Sequence, residues 1–221
     1  MSYQIQIAKT RKEKEAVYQF RYQVYVEEMG KQHIEADHQQ HLVFDEMDDY
    51  GTIYYACSDN RVIGTVRSLR GTDESFAKVD NRFFEVGRFQ KYIKNEEMAV
   101  VDRLMVDKAH RLSRLGHDLI LATYLEGISM DTNLCFVCCE DFLLPIYLRY
   151  GLRIYEEPAQ LATGGKRHKL VLFLRDREHL KKVNSPFLPH LPGNIDDQGF
   201  YANMLEEKAG ISFSSGLYST A

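Results

Sequence analysis

The sequence predicts an α/β protein with a mixed central sheet flanked by helices, and three observations carry that expectation. Strand-like and helix-like periodicities alternate along most of the chain. Its 221 residues, 44% of them hydrophobic, suffice to bury one sizeable core. Turn-forming residues divide the periodic segments, with no internal repeat or low-complexity block.

The elements follow in order. Residues 3–9, YQIQIAK, alternate as a first strand, and Thr10 stands where a helix N-cap belongs. Ala16, Val17, Phe20, Val24 and Tyr25 then recur near helical spacing, up to a stop near Gly30. Residues 52–70 hold two strand-like runs joined at Ser58-Asp59-Asn60, a hairpin signal. Residues 73–93 read as a helix or two with loops, 98–106 as a strand and 112–130 as a helix. A strand at 133–139, a helix at 141–151, a short strand at LRIYEE and a last strand at 168–175 complete the domain, residues 1–176. Residues 177–221 form a C-terminal extension with one short helix at 197–210. Its Phe187, Leu188 and Leu191 are apolar anchors for packing on the domain or on a partner subunit.

Composition narrows the function classes. Lys and Arg number 28 against 32 Asp and Glu, so no global basic field exists to hold nucleic acid. No run approaches the roughly 18 apolar residues that span a bilayer, and the start lacks a secretory core, so a cytoplasmic protein without stable membrane insertion is expected. Cys135, Cys138 and Cys139 sit in an apolar strand-like run and read as reduced thiols. Zinc is disfavoured, because adjacent strand residues point to opposite faces and no second ligand pair stands at the right spacing. The His33, His38 and His41 loop reads as solvated rather than metal-binding, so no metal is expected.

Residues 104–120, LMVDKAHRLSRLGHDLI, run from an apolar strand through a cationic turn into a helix start, where backbone amides and Arg side chains can hold a phosphate. This row resembles the acyl-CoA-binding motif of the GNAT acyltransferases, whose Arg/Gln-x-x-Gly-x-Gly/Ala pattern is matched by Arg111 and Gly116. Residues 145–157 resemble a later motif of that superfamily, with Tyr147 at the place of a common general acid toward the departing thiolate. The runs FRYQVYVEEMG (20–30), FDEMDDYGTIYYAC (44–57), VIGTVRSLR (62–70) and VVDRLMV (100–106) resemble the acyl-homoserine lactone synthases and, more closely, the long-chain N-acyl amino acid synthases. Arg21, Asp45, Asp48, Arg67 and Arg103 take the charged positions of that layout.

The resemblance implies a largely antiparallel GNAT sheet in a bacterial acyltransferase, with acyl-CoA or acyl-acyl carrier protein as co-substrate and a small-molecule amine as acceptor. Leu104, Val106, Arg111, Arg114, Leu115, Gly116 and His117 would bind the donor. The Arg21, Asp45, Asp48, Arg67 and Arg103 cluster would bind the acceptor or serve as a structural ion-pair network. Two positions depart from the pattern. Arg114 replaces a glycine, which favours a carrier protein over free coenzyme A. Val100 replaces the Glu three residues before Arg103, which leaves Asp102 and Glu140 as candidate bases beside Tyr147 as candidate acid. A long acyl chain would need an apolar cavity lined by residues such as Leu121, Leu125 and Phe136. An ordinary acetyl-CoA N-acetyltransferase and a silent acyl- or partner-binding domain are the alternatives.

Overall fold

The computed structural model describes residues 3–31, 35–73, 76, 84–160 and 165–215. They fall into two compact units. The first is built mainly from the chain up to Leu69 and from Val101–Thr123, the second mainly from 76–100 and from Tyr124 onward.

In the first unit the strand order is β1 (Gln4–Ile7), β4 (Thr52–Ser58), β5 (Arg61–Arg70), β6 (Met98–Val106). β1 pairs antiparallel with β4, and β4 with β5. The β4–β5 hairpin turns at Asp59 and Asn60, both at positive φ, the left-handed pair that Asn and Asp tolerate best. Helix α1 (Arg11–Tyr22) opens on a reciprocal capping box: Thr10 Oγ1 accepts from the Glu13 amide, and the Glu13 carboxylate accepts from the Thr10 amide. It runs on into a π-helical stretch, Gln23–Glu28.

Alternation along β4 explains how this unit is layered. Ile53 and Tyr55 face α1, packing with Val17, Phe20 and Val24. Tyr54 and Ala56 pack with Leu115 and Leu119 of helix α3 (Leu115–Ser129). Gly64 on β5 lets that helix approach, since a Cβ there would lie 3.0 Å from Leu119 and 3.1 Å from Leu115. Burying Leu115 and Leu119 completely contributes about 1.5–3 kcal/mol each.

In the second unit, Met98–Val100 of β6 run parallel to Leu134–Phe136 of β7 (Leu134–Glu140). β7 pairs antiparallel with β10 (Lys166–Phe173), which also takes the short strands β8 (Arg153–Ile154) and β9 (Ala159–Gln160). Helix α4 (Leu144–Tyr150) stops at Gly151, whose φ of +103° few side chains could adopt. Phe89, Phe136 and Tyr155 meet edge to face. Phe187 stacks on Tyr124 at 4.0 Å, Leu191 and Ile211 are buried, and Ser214 bridges the backbone of Ile154.

Several boundaries differ from the sequence expectation. The last strand is 166–173 rather than 168–175, with one further bond in the same register from the Leu174 amide to the Asn133 carbonyl. The short strand after Gly151 covers two residues, and the late helix starts only at Phe200, after Gly199 at positive φ. Asp176 caps an additional helix, α5 (Arg177–Lys182). The polar loop before Phe44 holds a small hairpin of β2 (Ala36–Asp37) and β3 (Leu42–Val43). Of the expected helix in 73–93, the described part is α2 (Gly87–Gln90); residues 74–75 and 77–83 lie outside the described residues, as does His33. Leu125 is 43% exposed, so it does not line an apolar interior. No described helix is long and apolar enough to cross a membrane.

Candidate functional site

The first unit gathers Arg21, Asp45, Asp48, Arg67, Asp102 and Arg103 around one buried ionic network. α1 supplies Arg21, the 3-10 turn Glu46–Asp49 and its cap supply Asp45 and Asp48, β5 supplies Arg67, and β6 supplies the last two. Asp45 and Asp48 are held by their own capping box, in which Asp45 accepts from the Met47 amide and Asp48 from the Asp45 amide. Their carboxylates are thus fixed before any cation reaches them.

Arg67, 1% exposed, forks onto Asp102, with Nε at 2.9 Å and Nη2 at 2.7 Å. Its Nη1 lies 2.5 Å from Asp45 and 3.0 Å from Asp48. Arg21 Nη1 donates to both Asp48 oxygens at 2.8 Å, and its guanidinium lies over the Tyr18 ring. Arg103 Nη2 donates to Asp45 at 2.5 Å and to Glu35, the residue just ahead of the small hairpin.

Burial alone would raise the Asp45 carboxyl, but hydrogen bonds and charge from Arg67 and Arg103 outweigh it and bring it down to about 2. Asp45 therefore stays ionised as a structural bridge and cannot serve as a base near neutrality. Burial would lower Arg67, and the surrounding carboxylates overcome this and raise it.

β6 carries an irregularity at this point. Arg103 has φ +56°, a left-handed conformation uncommon for a non-glycine residue in mid-strand. Val101, Asp102, Arg103 and Leu104 are all half-buried, so the usual in-out alternation fails here.

The cationic corner follows on the same unit. Asp107 caps the 3-10 turn Lys108–His110 and meets the His110 ring at 3.1 Å. Arg111 donates to the Val106 carbonyl at 3.1 Å and pairs with Glu28, whereas Arg114 is 80% exposed and only 3.6 Å from Asp118. Leu115 is buried at the start of α3, and its amide donates to Ser113 Oγ. Gly116 and His117 occupy the first turn, and a Cβ at Gly116 would meet only Val106 at 3.7 Å. Leu104 and Val106 pack against the cluster around Leu115.

Glu140 and Tyr147 lie in the second unit. Glu140 ends β7 as a half-buried residue, and Tyr147 is a buried residue of α4. Burial pushes the Tyr147 phenol up, with the Cys139, Cys138 and Cys135 thiols adding to the effect, so it stays protonated near neutrality. Cys139 is pushed up to about 12, again mainly by burial, which keeps it a thiol rather than a nucleophile. A polar cleft of about 700 Å³ in this unit, bordered by Lys94, Glu97, Asn133, Arg175, Asp197 and Tyr201, holds none of these groups.

Sequence reasoning missed Glu35, which sits in the loop dismissed as solvated. It also missed the pairs His168–Asp141, at 2.7 Å, and Lys169–Glu85, at 2.6 Å. These join residues 27 and 84 positions apart, which periodicity alone does not connect.

Residues 20–120 match the family model described as Acetyltransferase (GNAT) domain. No curated protein matches the chain. Among solved structures, the CoA-dependent acyl-homoserine lactone synthase BjaI with SAM and isopentyl-CoA superposes with TM-score 0.60 and 17% identity over 78% of this chain and 82% of its own. The AHL synthase LasI gives 0.63 at 16% identity over 81% and 93%. FeeM, an N-acyl amino acid synthase from uncultured soil microbes, gives 0.63 at 10% identity over 86% and 99%. A GNAT domain is thus matched over residues 20–120, across the cluster and the cationic corner, and the chain shares its fold with these synthases.

Proposed function

We propose that this protein is an N-acyltransferase that moves a medium- or long-chain acyl group from a thioester to the amine of an amino acid or similar small molecule. The observation that carries this reading is the buried network that ends on Asp102, a half-buried carboxylate on β6 just ahead of the cationic corner. In the reaction the amine nitrogen attacks the thioester carbonyl carbon and the C–S bond breaks. Asp102 takes the proton that the amine loses, directly or through water, with Glu140 as the alternative base. Tyr147 gives its proton to the departing thiolate.

Backbone near Leu104 and Val106 would align the pantetheine arm, and the first turn of α3, with Gly116 and His117, would face its phosphate. Arg111 is already engaged by Glu28, so the loosely held Arg114 is the readier cation. A long side chain in place of the motif's glycine suits the acidic surface of an acyl carrier protein better than a diphosphate pressed against backbone. Residues 177–221 would be a C-terminal extension, and burial of Phe187, Leu191 and Ile211 supports packing of its described part within the second unit.

The matched model describes acetyltransferases, which supports a second reading, acetyl transfer from acetyl-CoA. Incubation with acetyl, octanoyl and palmitoyl thioesters of coenzyme A and of carrier protein, plus an amino acid panel, separates the two. Thiol release and product mass are the readouts. Conjugates formed only from the longer donors support the main reading, and acetyl conjugates alone support the second. Release of no thiol with any donor would indicate a silent domain.

A further inference from the structure

Arg111 is a cation of the corner that already holds an anion. Its Nε donates to the Val106 carbonyl at 3.1 Å, and its Nη2 pairs with the Glu28 carboxylate. Nε and Nη2 form an edge of the guanidinium that grips an oxyanion with two parallel bonds, as Arg67 grips Asp102 through the same two atoms. On Arg111 that edge is filled by the carbonyl that ends β6 and by a carboxylate from a different element.

Glu28 reaches the corner through an irregular piece of helix. It is the last residue of the π-helical stretch Gln23–Glu28, which follows α1 without a break. The Met29 amide closes that stretch on the Val24 carbonyl at 3.0 Å, and the Gly30 and Lys31 amides close on Val26 and Tyr25 at 3.1 and 2.9 Å. A π-helical turn carries an extra residue, which rotates every later side chain by roughly 100° relative to a continued α-helix. Such turns are rare and concentrate at functional sites. Here the wide turn sets the direction of Glu28, and that direction meets Arg111.

The pair is partly open to water. The Arg111 and Glu28 side chains are 43% and 26% exposed, so solvent screens the pair and a stronger anion can displace the carboxylate. A terminal phosphate, with more charge and more acceptor oxygens, is such an anion.

We propose that Glu28 is a specificity-determining residue for the donor: it holds Arg111 in place of a phosphate, and a donor gains the full charge of the corner only when its phosphate takes Arg111 from Glu28. This deepens the N-acyltransferase reading and rests on it, since that reading turns the first turn of α3 toward the donor phosphate. Arg114 meets the phosphate first, and Arg111 joins once Glu28 gives way.

The test titrates full-length protein calorimetrically, without acceptor, with two probes that differ by one group: octanoyl-4′-phosphopantetheine and octanoyl-pantetheine. Wild type, Glu28→Gln, Arg111→Gln and the double variant are compared, each checked for an unchanged melting transition. Glu28→Gln should tighten the phosphorylated probe about three- to fivefold and leave the phosphate-free probe within about 1.5-fold, a split that general loosening of the segment would not produce. On the Arg111→Gln background the Glu28 substitution should change neither Kd. In wild type, hydrogen exchange at Met29, Gly30 and Lys31 should speed up with saturating phosphorylated probe and not with the phosphate-free one. If Glu28→Gln does not fold, this exchange measurement decides alone. Equal shifts for both probes, or no shift, in folded Glu28→Gln protein overturn the inference and leave the acyltransferase reading intact. Binding of neither probe by wild type overturns it too, and release of no thiol from any thioester overturns the acyltransferase reading as well.

Discussion

Asp102 and Arg103 are neighbours on β6, yet both serve one network: Asp102 grips Arg67, and Arg103 grips Asp45, which is itself bound to Arg67. In a regular strand they would point to opposite faces. The positive φ at Arg103 resolves this, and the cost of order 1–3 kcal/mol for such a conformation is offset by the ion pairs it permits.

Stability should fall in acid with a sign set by Asp45. Its folded value of about 2 lies below the ordinary value of 3.8, so the ionised form stabilises the fold. That contribution is present above about pH 4, is lost as pH falls through about 2, and amounts to about 2 kcal/mol for a shift of this size. Denaturant unfolding at pH 7, 4 and 2.5 should show the decline. Asp45→Asn should lose about 3–5 kcal/mol at pH 7, because two buried guanidinium groups lose their shared partner, and a loss below about 1 kcal/mol would contradict the bridging role.

Arg114→Gly restores the glycine of the phosphate-binding pattern. The side chain is exposed, its contact among the described residues is one of 3.6 Å to Asp118, and Arg114 stands just ahead of α3 at a cap position that tolerates glycine, so stability should change little. Affinity for acyl-CoA should rise relative to acyl carrier protein, read by KM for each donor. A ratio that moves the other way would remove Arg114 from the donor site.

Tyr147→Phe should retain the fold, since the ring is the part packed against its surroundings. Loss of the proton donor should lower kcat about tenfold or more with a thiol leaving group of ordinary basicity. A more acidic aryl thiol, which departs without a proton, should narrow the gap between variant and wild type. Equal loss with both leaving groups would assign Tyr147 to packing.

The main helices and strands were legible because both faces of β4 are covered, so alternation and helical periodicity report the same layers from two sides. Ser58-Asp59-Asn60 fixed a turn through backbone chemistry that needs no partner. The ends of elements were less legible. β10 spans 166–173 rather than 168–175, because its bounds are set by pairing with β7, roughly 30 to 40 residues earlier in the chain. Within the site, resemblance alone marked Arg21, Asp45, Asp48, Arg67 and Arg103. Glu35 stayed hidden because it sits in a turn ahead of a hairpin whose two-residue strands leave almost no periodic signal. The bend at Arg103 stayed hidden because an Arg carries no left-handed preference to announce it.

The most direct test of the account compares wild type with Asp102→Asn in one assay that follows thiol release and N-acyl product mass together. Wild type should form one conjugate per thiol released. Asp102→Asn should slow transfer by about 100-fold or more, with donor KM within about twofold. Transfer at the wild-type rate in folded Asp102→Asn protein would contradict the assignment of chemistry to the exposed end of the ionic network.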